Sequence, residues 1–231
     1  DYQGVSFDLA LHFGTLLAVL GYYRRDLVTI ATAMLRRDRS EHGRVQRRLG
    51  IGLALTTIPA IIVGAAMGEE TAAALRVPTL IAVNLIAFGV LLGVADRASG
   101  KTRGVLSVSL GEALFIGAAQ ALALIPGTSR SGVTMTAALF LGLDRHEAAR
   151  YSFLMGVPIT AAACAHGALQ AYRSGEAFLW TDFAIGAAVA AIAGVACIHF
   201  LLHFLRRLGL MPFVWYRIAL GLFVLGLVYL R

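Results

Sequence analysis

A polar stretch interrupts the fourth of seven apolar segments in this chain and limits how that segment can cross a membrane. Residues 126–132 read Pro-Gly-Thr-Ser-Arg-Ser-Gly, whereas residues 111–125 carry one charge, Glu112, and residues 133–143 carry none. An arginine at the centre of a bilayer costs at least about 2.5–3.5 kcal/mol on insertion scales, and a Pro-Gly break frees backbone groups that lipid cannot bond. Because both costs are tolerated where a loop lines a polar cavity, we expect such a cavity here.

The composition is typical of a polytopic membrane protein. Hydrophobic residues make up 58% of the 231 residues and charged residues 14%, which excludes an ordinary soluble domain. The net charge of +7 does not indicate a nucleic-acid partner, because basic residues in membrane loops set topology. We therefore predict an all-α membrane protein. Its apolar segments are 7–23, 49–67, 78–95, 111–143, 151–172, 183–205 and 212–230.

The distribution of arginines predicts the orientation. The loop 24–48 carries eight of them and is cytoplasmic by the positive-inside rule. If segment 111–143 crossed the membrane once, the arginines near the inner ends of later segments would lie outside; if it enters and returns, they lie inside. These are Arg145, Arg150, Arg206, Arg207 and Arg217. Each half of 111–143 is also too short for the roughly 20 residues of a span. We predict six full spans and one re-entrant hairpin with its tip at Pro126-Gly127.

This topology predicts an inverted repeat within a single membrane domain, residues 1–231. Residues 1–95 form the first repeat and residues 111–231 the second, with three spans each running in opposite directions. The hairpin 111–143 opens the second repeat, and nothing precedes the first. We expect a further hairpin before Asp1, entering from outside, whose tip meets residues 126–132 near the midplane.

Residues 126–132 have the groups that bind a phosphate or carboxylate: hydroxyls, backbone N–H groups and one guanidinium. The glycines let the backbone approach a ligand closely. The helix that follows, with Thr134 in its first turn, presents an N-terminus that favours an anion. The alternative is a structural kink in which Arg130 pairs with Glu112. Glu112 is better interpreted as a helix cap than as a catalytic group.

Other polar residues are weaker candidates. Asp8 and His12 share one helical face in the first apolar segment. An ionisable pair within a membrane suggests function, although both lie near the outer end and can simply face water. Gln120 precedes the hairpin tip and can hydrogen-bond within the cavity. Gly89 and Gly93 form a small-xxx-small face for helix packing.

The motif Pro126-Gly127-Thr128-Ser129-Arg130-Ser131-Gly132-Val133-Thr134 resembles the PGxSRSGxT motif of the undecaprenyl-diphosphate phosphatases of the bacitracin-resistance type. Residues 7–19 and 151–158 also resemble this family. The resemblance implies a multi-pass enzyme of the bacterial inner membrane that hydrolyses undecaprenyl pyrophosphate at a periplasmic opening. It further implies a divalent cation, Mg²⁺ or Ca²⁺, contact with membrane lipid, and homodimers in some members.

Carried over by the motif, Arg130 and Ser129 are the catalytically important positions, with Thr134 a weaker candidate. Gly127, Thr128, Ser131 and Gly132 would bind the substrate phosphate. The family's N-terminal motif, ExxxE…PxSSxGH, would precede Asp1, so no metal ligand, nucleophile or base is assigned. We expect little activity without that segment. Two alternatives are a lipid-phosphate transporter or flippase with a midplane anion site, and a purely structural membrane subunit.

Overall fold

The computed structural model describes residues 3–36, 40–98, 100, 102–174 and 180–230, and these residues are almost entirely helical. Short 3₁₀ turns at Val105–Ser107 and Leu122–Leu124 flank the seventh helix. In chain order the helices are α1 (Gln3–Tyr22), α2 (Arg24–Leu35), α3 (Glu41–Leu55), α4 (Thr57–Ala66), α5 (Glu69–Ala74), α6 (Pro78–Arg97), α7 (Leu110–Ala121), α8 (Arg130–Phe140), α9 (Arg145–Ser174), α10 (Trp180–Leu208) and α11 (Met211–Tyr229).

Among the described residues, five helical stretches are long and apolar enough to cross a membrane. They are Glu41–Ala66, Pro78–Arg97, Arg145–Arg173, Trp180–Leu208 and Met211–Tyr229. Their outer faces suit lipid, since large apolar side chains such as Ile192 (73% exposed) face outward. The prediction of an all-α, multi-pass membrane protein is confirmed. In α1 the apolar stretch Phe7–Tyr22 is shorter, so the sixth span stays a prediction.

The first of these stretches is two helices, α3 and α4, separated at Thr56. Pro59 has no N–H to donate to the carbonyl of Leu55, which interrupts the helical hydrogen bonds there. Helix α7 packs on this break: a Cβ atom at Gly117 would lie 2.6 Å from the Cα atom of Thr56. Gln120 also donates from Nε2 to the Thr56 carbonyl at 3.1 Å. The helix break at Thr56 is therefore the surface on which α7 packs.

The predicted cytoplasmic loop 24–48 is largely helical, which corrects the sequence interpretation. It contains α2 and the first half of α3, whose N-cap Ser40 accepts a hydrogen bond from the Gly43 N–H at 3.0 Å. Arginine is a good helix former, so a high arginine content does not exclude helix. Gly50 allows α3 to approach Ile30 of α2, where a Cβ atom would be 2.6 Å from the isoleucine Cγ2.

Helices α7 and α8 leave one end of the molecule and return to it. The Arg103 N–H donates to the Gly142 carbonyl at 3.1 Å, and the Asp144 N–H donates to the Arg103 carbonyl at 3.0 Å. The Arg103 guanidinium bonds both carboxylate oxygens of Glu112, at 2.7 and 3.0 Å, and the Leu141 carbonyl at 2.7 Å. The chain before α7 is thus fastened to the chain after α8.

The same end of the molecule gathers ion pairs between helix termini. Asp96, at the end of α6, accepts from Arg145 at the start of α9, with Nε to Oδ1 at 2.6 Å. Arg150, one turn further along α9, bonds Asp26 of α2 at 2.7 Å. These contacts place the ends of α6 and α8 beside the starts of α2, α7 and α9.

Helices α6 and α11 pack closely in antiparallel directions. Gly89 and Gly93 of α6 lie against Arg217 and Val214 of α11, with would-be Cβ contacts of 3.2 Å. The predicted small-residue packing face is therefore confirmed. This pair of helices forms the wall against which the α7–α8 connection rests.

Candidate anion-binding active site

The connection between α7 and α8 has an unusual backbone. Gly127 has φ +87°, in the left-handed region that glycine tolerates. Ser129 has φ +68° and is the only non-glycine residue with positive φ among the described residues. Such conformations cost roughly 1–3 kcal/mol and cluster at functional sites. Ser129 is also the N-cap of α8, which begins at Arg130.

The N-terminus of α8 has two backbone N–H groups to offer. The first N–H groups of a helix have no acceptor within it. Ser129 satisfies two donors: its Oγ accepts from the Gly132 N–H at 3.3 Å, and its carbonyl accepts from the Val133 N–H at 3.0 Å. The N–H groups of Arg130 and Ser131 find no acceptor in the described part of the chain. These two donors lie where a helix favours an anion.

Two side chains from neighbouring helices hold the carbonyl groups of the connection. Arg217 of α11 donates from Nη2 to the carbonyls of Gly127 and Thr128, at 2.9 and 2.8 Å. Asn84 of α6 donates from Nδ2 to the Pro126 carbonyl at 2.9 Å. A trans peptide holds its N–H opposite to its C=O. Fixing the Thr128 carbonyl on Arg217 therefore turns the Ser129 N–H away from Arg217.

The Arg130 side chain is exposed and lies along the middle of α9. A Cβ atom at Gly156 would be 3.2 Å from both Nη atoms of Arg130, so the missing side chain makes room for the guanidinium. Its Nη1 donates to Oγ1 of Thr160 at 3.4 Å. No carboxylate of the described residues pairs with it. The alternative in which Arg130 pairs with Glu112 is wrong, because Glu112 bonds Arg103.

Glu112 acts as the sequence predicts, as a helix cap. Its carboxylate accepts from the Ser109 N–H at 2.8 Å, and the Ser109 hydroxyl accepts from the Glu112 N–H at 3.3 Å. Together they form a capping box at the start of α7. Hydrogen bonds from the Arg103 guanidinium, and then from Ser109, lower the pKa of Glu112 to about 2.

Thr134 is buried beneath the N-terminus of α8 and does not lie at the protein surface. It is 1% exposed, and its hydroxyl donates to the Arg130 carbonyl at 2.9 Å and hydrogen-bonds Oγ of Ser152 at 2.7 Å. Thr128 is fully buried, and its hydroxyl has no partner in the described residues. Neither hydroxyl reaches the surface of the protein, and the assignment of Thr128 and Thr134 to phosphate binding stays a prediction.

The remaining candidates divide between the site and other places. Ser131 is half-buried beside Arg130, and Gly132 is buried with its would-be Cβ atom 2.9 Å from Nη1 of Arg217. Gln120 is buried on Thr56 instead of lining an open cavity.

Asp8 and His12 are exposed, and His12 Nδ1 lies 2.8 Å from the backbone carbonyl of Asp8. Leu9 beside them contacts Gly167, which is seven residues, or about 10 Å of helix, beyond Thr160. The described structure does not bring them to Arg130.

Sequence reasoning missed Arg217, Asn84 and Ser152. It treated Arg217 as a residue near the cytoplasmic end, whereas the structure buries it (8% exposed) in the second turn of α11. A signal was present: Arg217 is the only charged residue in 211–229, and Asn84 is the only amide in the apolar part of α6. Polar residues inside apolar spans pair within the protein and mark functional places.

No group of three or more His, Cys, Asp or Glu side chains that could hold a metal ion occurs among the described residues. The residues around the connection are donors, guanidinium, hydroxyl and N–H, which suit an anion and not a cation. The described site therefore does not supply a ligand set for the divalent cation that the resemblance implies.

The fold and this site define a class: a multi-pass, all-helical membrane protein. On the connection between two of its short helices lie an arginine without a carboxylate partner and two helix N–H groups without an acceptor, as far as the described residues show. Comparison with known proteins identifies the family. The family model described as "Bacitracin resistance protein BacA" matches residues 1–223. The chain belongs to this family, and the resemblance noted in its sequence is confirmed.

Similar proteins cover nearly the whole chain. An undecaprenyl-diphosphatase from Hahella chejuensis is 45% identical over 219 residues, which are 95% of this chain and 82% of that protein. Undecaprenyl-diphosphatases from Teredinibacter turnerae and Trichlorobacter lovleyi are 43% and 41% identical. They cover 95% and 97% of this chain, and 83% and 84% of their own lengths.

Proposed function

We propose that this protein is an undecaprenyl-diphosphatase. It hydrolyses undecaprenyl pyrophosphate to undecaprenyl phosphate and phosphate, and so recycles the lipid carrier of peptidoglycan synthesis. Membership in the family and the name of each compared relative support this function. The structural observation that carries it is the Arg130 guanidinium, which has no carboxylate partner in the described residues and belongs to the residue that opens α8 with two N–H groups lacking an acceptor there.

The arrangement suits the transition state of phosphoryl transfer. Charge spreads over the equatorial oxygens of the transferred group, and catalysis consists mainly of positioning and electrostatic stabilisation. Arg130 supplies a planar fork of donors for these oxygens, and the N–H groups of Arg130 and Ser131 supply two more. Ser129 is an exposed residue at the same turn, and its hydroxyl caps the helix by accepting from the Gly132 N–H. Arg130 and Ser129 are the proposed catalytic residues, with Ser131 a phosphate contact.

The other residues of the motif support this array. Gly127 allows the turn, and Gly132 leaves room for Arg217 beneath the helix N-terminus. Thr134 bonds the Arg130 carbonyl from below. The backbone of 127–132 is thereby fixed before substrate arrives, which is how preorganised donors stabilise developing charge.

The topology we propose is a re-entrant hairpin, α7–α8, within an inverted repeat. The fastening of Arg103 to Gly142 and Asp144 supports a return to the same side. Asn84, which bonds the hairpin tip, lies six residues after the start of α6, or about 9 Å. It lies 13 residues, or about 20 Å, before Arg97 at the basic end. The tip is thus deep in the membrane and nearer the predicted periplasmic side of the bacterial inner membrane.

The two repeats, residues 1–95 and 111–231, stay a proposal from topology. The close antiparallel pair of α6 and α11 is the contact expected between the last helices of two inverted units. The divalent cation, Mg²⁺ or Ca²⁺, and a homodimer are proposals from the family resemblance alone.

The decisive experiment is phosphate release from undecaprenyl pyrophosphate in detergent with magnesium, using the native-length protein. Arg130→Ala is expected to lower turnover by ~10³-fold or more, the size of effect for an arginine on a transferred phosphoryl group. The matched control is Arg173→Ala, an exposed arginine near the far end of α9, which should keep normal turnover. Thermal unfolding in the same detergent verifies that both variants are folded.

Two results would overturn the assignment. A folded Arg130→Ala protein with near-normal turnover would show that Arg130 is not a catalytic residue. Absence of phosphate release from a folded native-length protein would instead favour a transporter or flippase for lipid phosphates, which would bind the substrate without hydrolysing it.

A further inference from the structure

A second cationic site lies at the end of the molecule where the ion pairs gather. A cavity of about 710 Å³ opens between the α1–α2 junction, the start of α9 and the face of α10. Its lining includes Tyr22, Tyr23, Arg24, Arg25 and Arg150. Arg150 lies ten residues, or about 15 Å of helix, from the Thr160 that contacts Arg130. The cavity is therefore separate from the proposed active site.

The charge in this cavity is not balanced by the described residues. Arg150 is neutralised, because it bonds Asp26 at 2.7 Å and Glu147 at 3.4 Å. Arg24 and Arg25 have no hydrogen-bond or carboxylate partner for their guanidinium groups among the described residues. Asp26 and Glu147 are both already engaged by Arg150. The three arginines and these two carboxylates together have a net charge of +1, and the arginines without a partner in the described residues are Arg24 and Arg25.

Further cationic and polar groups surround these arginines. His146 lines the cavity, with its Nε2 3.5 Å from Nη2 of Arg206 and its Nδ1 3.4 Å from Glu147. Tyr23 is 5% exposed, and its hydroxyl has no partner in the described part of the chain. An anion with several oxygens would match these groups.

One wall of the cavity continues into the lipid-facing surface. Val195 lines the cavity and is 41% exposed on α10, and Val189 and Ile192 on the same helix are 61% and 73% exposed. The rings of Tyr22 and Tyr23 lie 5.1 Å apart beside the arginines. Tyrosine at the boundary of a membrane places its ring at the level of lipid headgroups. The cavity thus joins a basic interior to the apolar outer face of α10.

We propose that this cavity binds an anionic membrane phospholipid, with the headgroup phosphate on Arg24 and Arg25 and an acyl chain along α10. The volume is within the range of small-molecule sites. Basic pockets between membrane helices on the cytoplasmic side bind anionic headgroups, and the arginine-rich segment 24–48 places this end on that side. The lipid would fasten the α1–α2 junction to α9 and α10.

Native mass spectrometry of the native-length protein in detergent tests this proposal, with titration of phosphatidylglycerol, phosphatidylcholine and free glycerol phosphate. We expect phosphatidylglycerol to bind more tightly than the other two. The pair Arg24→Gln and Arg25→Gln should weaken phosphatidylglycerol binding by ~30-fold, from the contribution of each arginine near a membrane surface. The control pair, Arg44→Gln and Arg97→Gln, removes the same charge from exposed positions outside the cavity and should leave the binding unchanged.

Three results would overturn the proposal. They are equal loss in both pairs, no preference for phosphatidylglycerol over phosphatidylcholine, or glycerol phosphate binding as tightly as the lipid, which would indicate a site for free phosphate. If the first pair does not fold, Arg25→Gln against Arg44→Gln decides by the same criteria. Phosphate release, measured on the same samples, reports separately on the proposed enzyme activity.

Discussion

Arg217 of α11 and Thr128 of the α7–α8 connection are joined by a hydrogen bond of 2.8 Å from Nη2 to the backbone carbonyl, and the same Nη2 bonds the Gly127 carbonyl at 2.9 Å. The guanidinium is buried and bonds carbonyl dipoles. Since a carbonyl is opposite to the N–H of its peptide, Arg217 fixes the orientation of the two peptides that lead into Ser129, and so the backbone on which the N-terminus of α8 is built. It is a positioning residue for the proposed site.

Arg217→Met is therefore expected to lower kcat for phosphate release by ~10²-fold or more, because freed carbonyls let the connection relax and misplaced donors lose their effect. KM should change much less. Arg217→Lys should recover part of the rate, since an ammonium can reach one carbonyl but lacks the fork. The control is Arg207→Met, at an exposed arginine of α10.

A purely structural role for Arg217 would give a different result. The variant protein would lose thermal stability while each folded molecule kept its kcat. Equal turnover per folded molecule in Arg217→Met and wild type would thus contradict the positioning role.

The sequence predicted the class of fold because apolar segments and arginine placement are strong signals in membrane proteins. It also predicted that Arg130 and Ser129 lie on a loop that lines a polar cavity, because a Pro-Gly break and a polar run are tolerated in such a place. The sequence could not show which side chains bond the backbone carbonyls of residues 126–128. Asn84 and Arg217 are distant in the chain from residues 126–132, and only the packing of α6 on α11 brings them together.

Chain position says little about burial in the fold. The sequence therefore does not show that the Arg217 guanidinium and the Thr134 hydroxyl are both buried. The hydroxyl of Thr134 lies on a buried face of α8 against Ser152 of α9. Which face of α8 is buried depends on how α7 and α8 pack on the other helices. One of these packing contacts is that of Gly117 in α7 with the helix break at Thr56.

Gly127→Ala tests the turn of the connection. The residue has φ +87°, and an added Cβ would overlap the backbone carbonyl of Ile81, with the Ile81 carbonyl carbon at 3.0 Å. Since a backbone atom cannot move aside as a flexible side chain does, we expect loss of stability of about 1–3 kcal/mol and turnover lowered by ~10²-fold or more.

The matched control is Gly111→Ala in the first turn of α7, where an added Cβ meets nothing within 4 Å. Alanine there should be neutral or slightly stabilising, by about 0.5–1 kcal/mol. Thermal unfolding and phosphate release measure both effects. Similar behaviour of the two variants would show that the turn at Gly127 is not required.

Thr134 and Ser152 are expected to act as a coupled pair. Thr134→Val removes one hydroxyl from a buried contact of 2.7 Å and leaves Ser152 Oγ unsatisfied, which should cost about 1–3 kcal/mol of unfolding free energy. In the double variant with Ser152→Ala the loss should be smaller than the sum of the single losses by about 1 kcal/mol. Reversible unfolding of all four proteins in mixed detergent measures this, and strict additivity would show that the hydroxyls do not interact.

The Arg103–Glu112 ion pair, which links the chain before α7 to the start of that helix, is expected to make the stability of the fold sensitive to acid. Hydrogen bonds from Arg103 lower the pKa of Glu112 from 4.5 to about 2 in the folded protein. A carboxyl group with a lowered pKa stabilises the fold fully above its unfolded value and loses this contribution as the pH falls towards its folded value. The contribution is therefore present at pH 6 and decreases between pH 4.5 and 2.

Glu112→Gln should lower the thermal unfolding temperature at pH 6, because it removes the charged partner of Arg103 and the carboxylate of the capping box. The difference from wild type should shrink as the pH falls below 4.5, since protonation removes the same charge from the native side chain. Glu41→Gln, at an exposed glutamate in the first turn of α3, is the control for a general effect of one lost carboxylate. A difference between wild type and Glu112→Gln that stays constant from pH 6 to 3 would contradict the assignment of this pair as an acid-sensitive fastening.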